Sequence, residues 1–111
     1  MKYLITESQL DRVIFRYLNN QDLIQIEKGN RIYFVNSEND KDGQILYDKK
    51  HKTCYIYYGL IYEISSFFSL ERSDSKEIIS IWVENTLQMK VTDTDWGKER
   101  ETYTVLRIPP N

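Results

Sequence analysis

The residues best spaced to hold a metal are Glu38-Asn39-Asp40-Lys41-Asp42-Gly43-Gln44-Ile45. Oxygen-bearing side chains at alternate positions, a glycine at the sixth and an aliphatic residue at the eighth follow the pattern of a calcium-binding loop of the EF-hand kind. The pattern breaks at its two ends. Glu38 stands where an aspartate should, and Lys49 stands where a bidentate glutamate should close the shell. A strand rather than a helix precedes the loop, so the stretch reads as a solvated turn and no metal is expected. A second acidic run, Asp93-Thr94-Asp95-Trp96-Gly97, fails sooner because its glycine falls at the fifth position.

Covalent catalysis has little to work with. The single thiol is Cys54 and the single imidazole is His51. Three residues apart on an extended chain they point to opposite faces, so they cannot make the hydrogen-bonded pair that activates a thiolate. Cys54 shares a face with Ile56 and reads as a small buried hydrophobe. No serine has a histidine left to recruit. The four glycines, at 29, 43, 59 and 97, are scattered singly, so no loop cradles a phosphate. Acid pairs of the hydrolase kind cannot be singled out among 17 Asp and Glu, most of them in charged, turn-like surroundings. The expectation is a protein without catalytic residues or cofactor.

The unusual feature is aromatic. Of nine tyrosines, Tyr33, Tyr47, Tyr55 and Tyr57 fall on strand positions opposite to Ile32, Phe34, Leu46, Cys54 and Ile56 if each strand keeps its register. One sheet face would then be aliphatic and the other tyrosine-rich. Helices covering both faces would make this a strand-forming preference and nothing more. Left open, the tyrosine face is a contact surface, because tyrosine offers large area, little rotamer entropy and a polar tip that tolerates water. Flanked by Lys28, Arg31, Lys49, Lys50 and Lys52, it could alternatively stack the bases of single-stranded RNA or DNA.

The elements that must position these side chains are legible. Thr6 as N-cap, Gln9 as its capping-box partner and the Ile5/Leu10 staple start a helix. Its inward stripe is Leu10, Val13, Ile14, Tyr17 and Leu18, and Asn19-Asn20 ends it. Leu23-Ile24-Gln25-Ile26-Glu27 and Arg31-Ile32-Tyr33-Phe34-Val35 flank Lys28-Gly29-Asn30 as a hairpin. After a polar loop over 36–44, Ile45-Leu46-Tyr47-Asp48 and 53–58 make a second hairpin across Lys49-Lys50-His51-Lys52. Leu60, Ile61, Ile64, Phe67 and Phe68 fit a helical stripe. A third helix from Ser73-Asp74 to Met89-Lys90 carries Ile78, Ile79, Trp82, Val83 and Leu87 inward. The alternating segment 103–108, closed by Pro109-Pro110, is the candidate fifth strand. The sum is a single α+β domain over 1–111: an antiparallel sheet of four or five strands built from two hairpins, packed with about three helices.

Composition bounds the rest. The chain has 111 residues, 15 Lys and Arg against 17 Asp and Glu for a net charge of −2, and 41% hydrophobic residues. That supports a real core and argues against a strongly basic nucleic-acid clamp, an acidic DNA mimic or wholesale disorder. One cysteine makes no internal disulfide and no zinc site. The opening residues lack the apolar run of a secretion signal, and the longest uncharged stretch, 53–62, is far below the ~20 residues that span a bilayer. A cytoplasmic protein without membrane contact is expected.

The opening Leu4-Ile5-Thr6-Glu7-Ser8-Gln9-Leu10 joins two later blocks, Ile64-Ser65-Ser66-Phe67-Phe68-Ser69-Leu70 and Glu77-Ile78-Ile79-Ser80-Ile81-Trp82-Val83-Glu84. Together they resemble small uncharacterised proteins of tailed bacteriophages, especially large-genome phages from aquatic samples, that begin with an "ITESQL" helix. The likeness covers the first helix and the block 64–91, under half of the chain. It implies an origin, a phage gene product made in a bacterial cytoplasm, and attaches no activity to any residue. The expected role is a non-enzymatic interaction module that binds a host or phage protein, foremost an accessory factor acting on a host defence or regulatory complex. A virion structural component and a single-stranded nucleic-acid binder are the alternatives. A virion part usually carries long arms or an exposed strand edge, and a chain capped within six residues of its start favours the accessory factor.

Overall fold

The computed structural model describes residues 7–97 and 105–110. Its elements run α1 (Glu7–Asn20), β1 (Ile24–Lys28), β2 (Arg31–Val35), β3 (Ile45–Asp48), β4 (Thr53–Tyr57), α2 (Tyr58–Phe68), α3 (Arg72–Leu87) and β5 (Asp93–Gly97). The α+β class, both hairpins and three helices stand as read. The Thr6 cap and its staple to Ile5 lie outside the described residues.

Five strands form one sheet in the order β1-β2-β3-β4-β5. The first three pairings are antiparallel, whereas β5 lies parallel to β4, with Thr53 opposite Asp93 and Ile56 opposite Trp96. The α2–α3 hairpin makes this possible, since a parallel neighbour needs a long crossover that returns the chain to the same end of the sheet. The fifth strand is therefore not the expected segment 103–108. Residues 101–104 lie outside the described residues, Val105 and Leu106 are helical, and Arg107 makes an isolated bridge to Asp42.

The helices pack on one sheet face. Ile32 and Phe34 of β2, Ile45 and Tyr47 of β3, and Cys54 and Ile56 of β4 meet Ile14 and Leu18 of α1, Ile61 and Ile64 of α2, and Ile79, Trp82 and Val83 of α3. Polar ties lock the layer. The Trp82 indole donates to Asn19 Oδ1 at 2.9 Å, and the buried Ser65 and Ser75 hydroxyls join α2 to α3 at 2.7 Å. Val13, expected on the inward stripe of α1, is an exposed side chain instead.

The opposite face carries a smaller cluster, in which Tyr33, Val35 and Leu46 are buried beneath Leu106, with Val105 and Ile108 alongside. Two backbone bonds hold this segment down: Gly43 N–H to the Leu106 carbonyl and Ile108 N–H to the Lys41 carbonyl, each 2.8 Å. Both faces of the central strands are thus covered, which explains why all four residues of β3 are buried.

Candidate functional site

The pairing partners decide which tyrosines share a face. Residues directly opposite in a sheet point the same way, so Ile32, Tyr47 and Cys54 form one column and Tyr33, Leu46 and Tyr55 the next. The expected set is split. Tyr47 sits on the helix-covered face with Ile32 and Cys54, and Leu46 takes its place beside Tyr33. Tyr47 is buried, and its hydroxyl donates to the Lys90 carbonyl at 2.7 Å, tying β3 to the chain beyond α3. Burial, with the nearby Cys54, Asp48 and Glu84, raises its pKa.

Tyr33 is fully buried under the 105–108 segment, and its hydroxyl has no hydrogen-bond partner among the described residues. The Arg31 guanidinium lies near enough to that hydroxyl for the contact to raise the Arg31 pKa, without completing a hydrogen bond. Tyr55 and Tyr57 are half-buried at the margin of the same cluster. A flat, open tyrosine face is therefore replaced by a covered one with two tyrosines at its rim.

The lysine-bearing turn is organised by Asp48. Its carboxylate accepts from the amides of Lys50 and His51, at 2.9 and 3.2 Å, and contacts the His51 ring at 3.0 Å. Burial of Asp48 pushes its pKa up, but the His51 ring and the two amides together hold it below the usual carboxylate value. Lys49 is paired with Glu27, while Lys50 and Lys52 are exposed. His51 is thus engaged with Asp48, and Cys54 lies fully buried with its pKa pushed up to about 12 by desolvation. A thiol in that state is protonated and shielded.

The loop that resembled a calcium site is stitched internally. Asp40 accepts from the amides of Asn36 and Ser37, at 3.0 and 3.1 Å, and Asp42 faces Arg107 at 3.4 Å. Among the described residues, no group of three His, Cys, Asp or Glu side chains could hold a metal ion. No helix among them is long and apolar enough to cross a membrane.

The exposed aromatic side chains lie on α2, in two groups. Phe67, expected on the inward stripe, is 69% exposed and Tyr62 is 53% exposed. Phe67 and Phe68 pack against Tyr17 of α1, with ring centroids 5.5 and 5.6 Å away. The Tyr17 hydroxyl donates to Glu63, and burial together with that carboxylate pushes its pKa up to about 12. One turn apart on α2, Tyr58 and Tyr62 share the guanidinium of Arg72, which lies 5.4 and 5.6 Å from their ring centres. Tyr58 also stacks on Trp96 of β5 at 5.7 Å with an interplanar angle of 8°.

Spacing marks only part of this surface. On a helix whose core stripe is Leu60, Ile61 and Ile64, positions 62, 63 and 66 fall on the far side, whereas Phe67, seven residues after Leu60 and three after Ile64, lies at the margin of the core stripe. Its exposure is set by where the last turn of α2 stands in the closed fold, which no local pattern carries. No protein-family model, curated protein or solved structure matches this chain.

Proposed function

We propose that this chain is a non-enzymatic protein-interaction domain, an accessory factor of a tailed bacteriophage that binds a host protein of a defence or regulatory complex in the bacterial cytoplasm. The observation that carries the interaction reading is the pair of exposed aromatic side chains on α2, Phe67 and Tyr62. Large rings standing 69% and 53% in solvent on a helix already anchored through Leu60, Ile61 and Ile64 are what a protein partner covers. Tyr17 and Phe68 pack against Phe67, and Tyr58 and Arg72 against Tyr62, which lowers the entropy lost on docking. The bacteriophage part of the proposal rests on the resemblance of the opening residues and the block 64–91. The absence of catalysis is supported by the state of the candidate nucleophile, a thiol sealed in the core.

The nucleic-acid alternative draws support from the sheet end where Arg31 lies opposite Asp48, which brings exposed Lys50 and Lys52 near Arg31. It is weakened because Tyr33 and Tyr47 are buried and offer bases nothing to stack on. A pull-down of the tagged chain from infected cells, with and without nuclease, separates the readings. The interaction reading expects a nuclease-resistant protein partner lost on Phe67→Ser and Tyr62→Ala and kept on Lys50→Glu with Lys52→Glu. A nuclease-sensitive complex lost on the lysine changes, with steep salt dependence, would establish the alternative. Stoichiometric amounts of the chain in purified virions would make it a structural component instead.

A further inference from the structure

A second surface stands apart from the aromatic one. Between α1 and the first turns of α3 runs an open groove with a volume of about 320 Å³. Its floor is apolar, made by Leu10 of α1, Leu70 of the α2–α3 connection, and Ile78 and Ile81 of α3. Its rim is acidic, with Asp11 on one wall and Asp74 and Glu77 on the other. The cations closest in sequence, Arg12 and Lys76, do not line it. None of the three carboxylates has an ion-pair or hydrogen-bond partner among the described residues.

The α3 wall has helical regularity, since 74, 77, 78 and 81 lie on one face at three-and-four spacing. An apolar floor between two helix walls accepts the apolar stripe of a third helix. Three carboxylates above that floor, without an ion-pair partner among the described residues, select the occupant's charge. A lysine or arginine places its aliphatic stem on leucine and isoleucine while its head reaches a carboxylate. An acidic or neutral segment finds repulsion or no partner there.

We infer that this groove docks a basic amphipathic helical segment of a protein partner. The inference rests on the interaction-module reading and names the chemistry of one partner element. Because it is tested with purified chain and peptide, its failure would leave the α2 surface standing, and failure of the pull-down would leave the groove standing.

The experiment titrates a labelled peptide of leucine and lysine, about 18 residues or roughly five helical turns with one apolar face, against the purified full chain. Fluorescence anisotropy measures affinity and amide chemical shifts locate the site. Saturable binding is expected, with shifts concentrated at Leu10, Asp11, Asp74, Glu77 and Ile81. Combining Asp74→Lys with Glu77→Lys should weaken it about tenfold or more, and the neutral pair Asp74→Asn with Glu77→Gln by less. A control of equal charge change, Glu38→Lys with Asp95→Lys, should leave affinity within about twofold. Three results would overturn the inference: equal loss from the control pair, equal binding by a leucine–glutamate peptide, or shifts centred on Phe67 and Tyr62. Equally tight binding of spermine at the same residues would also overturn it, since the apolar floor would then contribute nothing.

Discussion

Two buried tyrosines on opposite sheet faces should respond in opposite ways to the loss of one oxygen atom. Tyr47 donates to the Lys90 carbonyl at 2.7 Å, whereas the Tyr33 hydroxyl is buried without a partner among the described residues. Tyr47→Phe removes a made hydrogen bond and should cost about 1 kcal/mol, held to that size because the exposed Lys90 carbonyl can turn to water. Tyr33→Phe removes a buried hydroxyl that makes no hydrogen bond among the described residues and keeps only its proximity to Arg31, and should be neutral or stabilising by up to about 1 kcal/mol. Urea unfolding followed by far-ultraviolet circular dichroism reads both as midpoint shifts at constant slope. The Tyr47→Phe midpoint should fall and the Tyr33→Phe midpoint should hold or rise. If Tyr33→Phe were destabilising by more than about 0.5 kcal/mol, Arg31 would be making a hydrogen bond that matters. If Tyr47→Phe were neutral, the register that places Tyr47 under the helices would lose its support.

Three further outcomes test other parts of the structure. Cys54, with its pKa pushed up to about 12, should resist a thiol-specific reagent at pH 8 and react only as fast as the chain opens; prompt labelling in the native state would contradict its burial. Asp48 has a folded-state pKa below its unfolded value, so its stabilising contribution is present above about pH 4 and lost as pH falls through the depressed value. The difference in melting temperature between wild type and Asp48→Asn should therefore shrink on acidification, and a gap independent of pH would refute that role for the carboxylate. At Gly59, in the first turn of α2, an added Cβ would lie 2.3 Å from the Tyr57 ring, so Gly59→Ala must displace that ring; the cost of about 1 to 2 kcal/mol outweighs alanine's helix preference of about 0.5 to 1 kcal/mol, and a net stabilisation in thermal unfolding would show the ring free to move.

Local chemistry was enough to place most elements. The stripe of α1 apart from Val13, the alternation of β1 and β2, the tight turn at Gly29 with its φ of +60°, and the inward set of α3 are each written in a few neighbouring residues. The strand Asp93–Gly97 was not legible, because Asp-Thr-Asp-Trp-Gly has little strand preference and pairs only where β4 offers a free edge. The face taken by Tyr47 was not legible either. In Ile45-Leu46-Tyr47-Asp48 the middle residues are both large and apolar, so alternation alone permits either assignment. The nine-residue connection 36–44 carries no register from β2 to β3. Tertiary packing settled it by putting Leu46 beneath Leu106 and Tyr47 against the helices. The same holds for the interaction surfaces. Phe67 is hydrophobic wherever it stands, and only the docking of Leu60, Ile61 and Ile64 onto the sheet turned it outward. Asp11 and Asp74 are far apart in sequence, and only the meeting of α1 with α3 made them two walls of one groove. Periodicity reports what a segment prefers over one or two turns; which long-range neighbour completes it is a property of the closed core.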